Sequence, residues 1–116
     1  AEVLADAATL DFYAHDVFDR GADLAAVVRP ANTQQLGAAV AAATRAGHAV
    51  VARGGGMSYT GGYTQGTPGA VLIDTGAMDR ILDINTTDMK VTVEAGCSWA
   101  KLYDTLKPLG LRTPFW

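Results

Sequence analysis

One cysteine, Cys97, is all that the 116 residues contain, so no disulfide can close within the chain. Alone, it reads as a small apolar packing residue, and the expected setting is reducing and cytoplasmic. The two histidines, His15 and His48, are far apart and neither has a ligand partner at helical spacing, so no metal is expected. Nine Lys and Arg are outweighed by twelve Asp and Glu, giving a formal charge of −3 and a pI near 5.1. With no basic run and no aromatics interleaved with basic residues, the footprint of a nucleic-acid binder is missing. No apolar run reaches the roughly 20 residues that cross a bilayer, so no transmembrane segment is expected. The opening, Ala1-Glu2-Val3-Leu4-Ala5-Asp6, is acidic where a secretory leader is basic, so no signal peptide is expected; a start at Ala1 without methionine reads as processing or trimming.

What the chain has is apolar residues and glycine. At 49% hydrophobic and 18% charged it can bury a modest core, as one globular domain or part of a larger one. Its most distinctive stretch is Arg53-Gly54-Gly55-Gly56-Met57-Ser58-Tyr59-Thr60-Gly61-Gly62, which follows the apolar run Ala49-Val50-Val51-Ala52. Consecutive glycines let the backbone take positive φ and let a ligand approach the main chain. Successive N–H groups in such a turn can form an anion-binding concavity, to which Ser58 and Thr60 add hydroxyls and Arg53 a cation. Two readings stand side by side: a flexible turn, continued by Gly66 and Gly69, or a cradle for a phosphate-bearing cofactor. A P-loop is ruled out because Gly61 is followed by Gly62 and Tyr63, not by Lys-Ser/Thr. A Gly-x-Gly-x-x-Gly fingerprint counted from Gly54 would need glycine at Tyr59. Gly66, Pro68 and Gly69 prevent a helix from following, so any cradle works through its own amides.

Along the chain, residues 1–10 read as an alanine-rich helix and 11–21 as less regular, with Phe12, Tyr13, Val17 and Phe18 packing as one apolar patch. Residues 24–29 read as a buried strand closed by Pro30. A helix follows, started by a capping-box-like Asn32 and Gln35, striped by Leu36, Ala39, Val40 and Ala43, and stopped by Gly47. Gly37 within it is read as a mark of close packing. Strand, helix and the strand at 49–52 make a βαβ unit. Ala70-Val71-Leu72-Ile73 is a further buried strand. Residues 80–84 and 90–95 form a hairpin around Asn85-Thr86-Thr87-Asp88, with Val91, Val93 and Ala95 on one face and Thr92 and Glu94 on the other. Ser98 caps a helix whose stripe, Trp99, Leu102, Tyr103 and Leu106, is expected in the core, and Gly110 ends it. No side chain has a partner that marks a catalytic base, so no catalytic residue is assigned. An end at Arg112-Thr113-Pro114-Phe115-Trp116 reads as the opening of another segment, so a piece of a longer chain is expected.

Taken together, Val28-Arg29-Pro30 with Asn32-Thr33, the strand into Arg53-Gly54-Gly55-Gly56, Val71-Leu72-Ile73-Asp74 and Val91-Thr92-Val93-Glu94-Ala95-Gly96 occur in an order that resembles the FAD-linked oxidases, the vanillyl-alcohol oxidase and p-cresol methylhydroxylase family. The resemblance covers residues 24–116 and reaches to Tyr13–Asp16 as well, within 1–23 as an N-terminal helical and irregular segment. It implies an α+β fold: the first subdomain of a p-cresol methylhydroxylase-type FAD-binding domain, a small mixed sheet with flanking helices. It also implies FAD held by Arg53, Gly54, Gly55, Gly56, Met57, Ser58, Tyr59, Thr60, Gly61 and Gly62, with Thr113 and Pro114 on the segment leading toward the flavin. Relatives with covalent flavin carry histidine directly after the three glycines; Met57 stands there, which implies a non-covalent cofactor. The Ser-Tyr-Thr-Gly-Gly continuation resembles the D-lactate and glycolate dehydrogenase branch most. The implied activity is oxidation of a small hydroxylated substrate, a 2-hydroxy acid by preference, with hydride passing to FAD. A phenol, sugar alcohol or aldonolactone is the alternative within the family, and a non-catalytic folding or interaction module the alternative outside it. The implied partners are the small-molecule substrate, the remainder of the FAD domain and a cap domain.

Overall fold

A computed structural model describes residues 1–115 as β1 (Glu2–Leu4), α1 (Ala7–Tyr13), β2 (Leu24–Arg29), α2 (Thr33–Arg45), β3 (Val50–Arg53), β4 (Ala70–Asp74), β5 (Ile81–Asn85), β6 (Lys90–Val93) and α3 (Trp99–Leu106), closing in a 3-10 turn, Lys107–Leu109. The first four strands form a mixed sheet in the order β1-β2-β4-β3, in which β2, β4 and β3 are parallel and β1 is antiparallel. β4 lies between two parallel neighbours and is buried along its whole length, which is why it reads as an unbroken apolar run. Alternation along β4 divides the core. Ala70 and Leu72 pack with Leu24, Val27, Val51 and Tyr63, while Val71 and Ile73 pack with Val28 and Ala43. α2 covers the second face through Leu36, Ala39 and Val40; the first is covered by Leu4, Leu10 and Tyr13. This is the expected α+β arrangement of a small mixed sheet with flanking helices.

The βαβ expectation needs a correction. β2 and β3 run parallel but do not pair, because β4, arriving later in the chain, inserts between them. The N-terminal helix over residues 1–10 is also corrected. Glu2, Val3 and Leu4 pair with Arg29, Val28 and Val27, since the open edge of β2 satisfies their backbone groups better than an isolated first turn would. The helix starts only after Asp6, whose carboxylate accepts from the Thr9 amide at 3.0 Å, and it runs through Tyr13.

α2 follows its sequence signals closely. Asn32 Oδ1 accepts from the Gln35 amide at 2.9 Å, and the Gln35 side chain accepts from the Ala31 amide, one residue earlier than a strict capping box requires. At the other end the Gly47 amide donates to Thr44 O and the His48 amide to Ala43 O, a Schellman closure. Gly37 does not mark close packing: a Cβ there would meet nothing within 4 Å.

β5 and β6 form a separate two-stranded sheet. Their burial follows the alternation read from sequence at half-buried Val91 and exposed Thr92 and reverses it at the next pair. Val93 is 37% exposed, whereas Glu94 is buried, held by the Arg80 amide at 2.9 Å and the Arg80 guanidinium at 2.7 Å. That pair draws the Glu94 carboxyl below its usual range. In α3, Leu102 and Leu106 are buried but Trp99 is 58% exposed, so the expected core stripe holds only in part. Phe12, Val17 and Phe18 are likewise exposed; Phe12 packs edge-on to Tyr13, and Phe18 against Tyr59, so the single patch is really two contacts.

Gly96 joins the two sheets. Its amide donates to Met78 O at 2.8 Å, and a Cβ on it would lie 1.9 Å from Thr75 O, a backbone atom that cannot step aside. Gly96→Ala is therefore expected to destabilise the fold by about 1–3 kcal/mol or more through overpacking. Gly37→Ala, in open space on a helix, should stabilise it by up to about 1 kcal/mol. Urea unfolding of the two variants, expected to shift the midpoint in opposite directions, checks both.

Candidate functional site

The parallel strands end side by side, and each ends on a charge: Arg29 on β2, Asp74 on β4 and Arg53 on β3. Ligands of open parallel sheets gather outside such carboxyl ends, and the glycine run leaves the sheet there. Asp74 is 4% exposed. It accepts from the Tyr13 hydroxyl at 2.6 Å and the Gly76 amide at 2.8 Å. Arg29 Nε lies 3.2 Å from Asp74 Oδ2 but off the line a hydrogen bond needs, so that contact is ionic only. Burial, and next its bond to Asp74, pushes the Tyr13 phenol above its usual value near 10.0.

Arg53 is held differently. Its guanidinium carbon lies 4.9 Å from the ring centre of Tyr13, 5.5 Å from that of Phe12 and 5.7 Å from that of Tyr63, an aromatic cage for a cation. Its Nε is buried and has no hydrogen-bond partner among the described residues. The guanidinium also lies under Gly56, where a Cβ would sit 2.3 Å from Arg53 Nη2, and Gly56 has φ +76°. The third glycine is thus favoured by a left-handed backbone, and a side chain there would also displace the chain's own arginine. Tyr63 secures the turn by donating its hydroxyl to Gly56 O at 3.1 Å.

The run divides in function at Thr60. Among the described residues, none of the amides from Gly54 to Tyr59 donates to a protein acceptor. The later amides are occupied: Thr60 and Gly62 donate to Ser58 Oγ at 3.4 and 3.1 Å, and Gly61 donates to Asp16 Oδ2 at 3.0 Å. Ser58 therefore braces the loop as an acceptor. Met57, Tyr59 and Thr60 are exposed. The amides from Gly54 to Tyr59, with no protein acceptor among the described residues, are donors of the kind that suits a diphosphate.

Thr113 and Pro114 lie elsewhere. With Arg112 and Leu111 they line a cavity of about 100 Å³ against Ile84, Met89 and Leu106, and Thr113 Oγ1 donates to Phe115 O at 2.6 Å. No hydrogen bond or shared cavity joins them to the glycine run among the described residues. Trp116, read with them from sequence, lies outside the described residues. Sequence reasoning missed Asp74, Tyr13 and Tyr63 as parts of this site. Asp74 could have been found, since an acid directly after a buried parallel strand must lie at its carboxyl end.

A family profile described as FAD binding domain matches residues 24–116. Among solved structures, p-cresol methylhydroxylase with substrate bound superposes with a TM-score of 0.78 at 21% identity, covering 94% of this chain and 22% of that one. A 4-ethylphenol oxidase from Gulosibacter chungangensis, in complex with isoeugenol, gives 0.77 at 30% identity over 93% of this chain and 22% of that one. An alkyldihydroxyacetonephosphate synthase gives 0.80 at 16% identity over 93% and 22%. The chain thus spans about a fifth of the length of the structures it matches. These likenesses extend over more of it than the family profile does, so they include part of the N-terminal segment.

The Tyr13–Asp74 bond carries a pH signature. With its folded pKa raised, Tyr13 contributes stability that is present below the ordinary phenol value and is lost as pH rises through the higher folded value. Tyr13→Phe is expected to cost about 1 kcal/mol at pH 8, the low end for a bond to a carboxylate because Tyr13 is only half-buried. Its unfolding free energy should then fall less steeply than wild type as pH rises above the ordinary phenol value near 10.0; denaturant titrations from about pH 8 upward decide.

Proposed function

The chain belongs to the FAD binding domain family, and on that premise we propose that the run from Arg53 to Gly62 holds the FAD diphosphate, with the open amides from Gly54 to Tyr59 as donors. FAD is the cofactor. The observation that carries the assignment of the site is that these amides stand unused at the carboxyl ends of β2, β4 and β3. Arg53, fixed by its aromatic cage, supplies fixed positive charge beneath the turn. Ser58 shapes the loop, and Gly61 and Gly62 anchor its far end. Thr113 and Pro114 lie on the segment leading toward the flavin. Met57 offers no nitrogen for a bond to the isoalloxazine ring, so the cofactor is held through this segment without a covalent link.

The parent activity we propose is that of a flavin-dependent oxidoreductase acting on a small hydroxylated substrate, with the remainder of the FAD domain and a cap domain completing the site. Bound FAD supplies an acceptor for hydride. A 2-hydroxy acid is the substrate class that the Ser58-Tyr59-Thr60-Gly61-Gly62 continuation supports. The 30% identity to a 4-ethylphenol oxidase favours a second reading, a phenol.

Titration of the chain with FAD should quench flavin fluorescence, and Gly56→Ala, which displaces the guanidinium and strains the turn, should weaken binding by about tenfold or more, or about 1.4 kcal/mol. After acid precipitation the flavin should remain in the supernatant; flavin retained on the polypeptide would contradict the Met57 reading. Steady-state assays of the protein that carries this chain should show turnover of D-lactate or glycolate, and turnover confined to alkylphenols would transfer the assignment to the second reading.

A further inference from the structure

We infer that Asp16 is a positioning residue for the cofactor loop: its carboxylate clasps the strap at residues 15–20 to the glycine run and so fixes the direction of the open amides. The inference rests on the reading of that run as the diphosphate cradle. The strap is itself a tight turn, closed by the His15–Arg20 bridge and by the Asp16 amide donating to Asp19 O at 2.9 Å. Asp16 uses its two oxygens for different tasks. Oδ1 accepts from the Phe18 and Asp19 amides, both at 2.8 Å, and organises the strap. Oδ2 accepts from the Gly61 amide at 3.0 Å and reaches across to the loop.

Three further contacts follow the same line. The Val17 amide donates to Ser58 O at 3.2 Å, the rings of Phe18 and Tyr59 meet at 5.6 Å, and the Ala22 amide donates to Gln65 O at 2.7 Å. Gly21 lies so close that a Cβ there would be 2.7 Å from the Gln65 amide nitrogen. The loop is therefore held at two points, by Tyr63 and Arg53 at Gly56 and by Asp16 at Gly61, with the open amides beside and between them. Glycine-rich backbone loses much conformational freedom on ordering, and a loop ordered before the ligand arrives does not lose that freedom on binding. The Asp19, Phe18 and Gly61 amides hold the Asp16 carboxyl below its usual range, so the clasp is an anion near neutral pH.

Asp16→Asn separates the two tasks. The amide oxygen can replace Oδ1 within the strap, while its NH2 group opposes the Gly61 N–H, donor against donor. In the protein that carries this chain, freed of its cofactor, amide exchange and FAD titration are to be measured together on wild type and variant. The expected result is exchange at Gly61 and Val17 faster by about tenfold or more, unchanged protection in β4, and an FAD dissociation constant about tenfold higher. Unchanged exchange at Gly61 overturns the clasp. Faster exchange with unchanged FAD affinity overturns its positioning role, and lost protection in β4 reduces Asp16 to a folding residue and overturns it too. A wild-type protein in which FAD leaves exchange across residues 54–59 unchanged refutes the cradle reading and this inference with it, and is distinguishable because exchange at Gly61 reports on the clasp without ligand.

Discussion

A carboxylate buried at the end of the central strand constrains everything around it. A carboxyl group leaves water at low cost only where donors and cations replace its hydration, and the structure brings Tyr13, the Gly76 amide and Arg29 to Asp74. Tyr13 comes from the first helix and Arg29 from the neighbouring strand, so the need to satisfy one acid ties the N-terminal segment to the sheet. Tyr13 also forms one wall of the cage around Arg53. The same phenol thus serves the buried anion through its hydroxyl and the buried cation through its ring face.

From that arrangement the glycine run gets its shape. Arg53 fills the space under the turn, and the left-handed backbone at Gly56, φ +76°, is what favours glycine above it. The turn is pinned below by the guanidinium, at one end by Tyr63 and at the other by Asp16, and the amides between are left for a ligand. A glycine-rich loop of this kind is braced backbone, and its conformational freedom has largely been removed before any cofactor arrives.

Legibility varied with the range of the interactions. α2 was readable almost residue by residue, because Asn32, Gln35 and Gly47 act on backbone groups a few positions away. β4 was readable because burial on both faces leaves an unbroken apolar run. The hairpin lobe misled: Val93 and Glu94 alternate as a surface strand should, but the Arg80–Glu94 pair turns the acid inward and leaves the valine half in water. Residues 1–10 misled for a related reason, since alanine favours helix locally and only the free edge of β2 makes Glu2–Leu4 a strand.

By itself the sequence determined the chemistry available: a glycine run after a buried strand, no cysteine pair, and an order of short motifs shared with FAD-binding proteins. The tertiary structure decided which of those atoms are free to act. It placed β4 between β2 and β3, set three charged strand ends side by side, occupied the amides of Thr60, Gly61 and Gly62, and left those from Gly54 to Tyr59 open. No local pattern could say this, because an amide's availability depends on acceptors such as Asp16, brought to it from a distant part of the chain only when the sheet assembles.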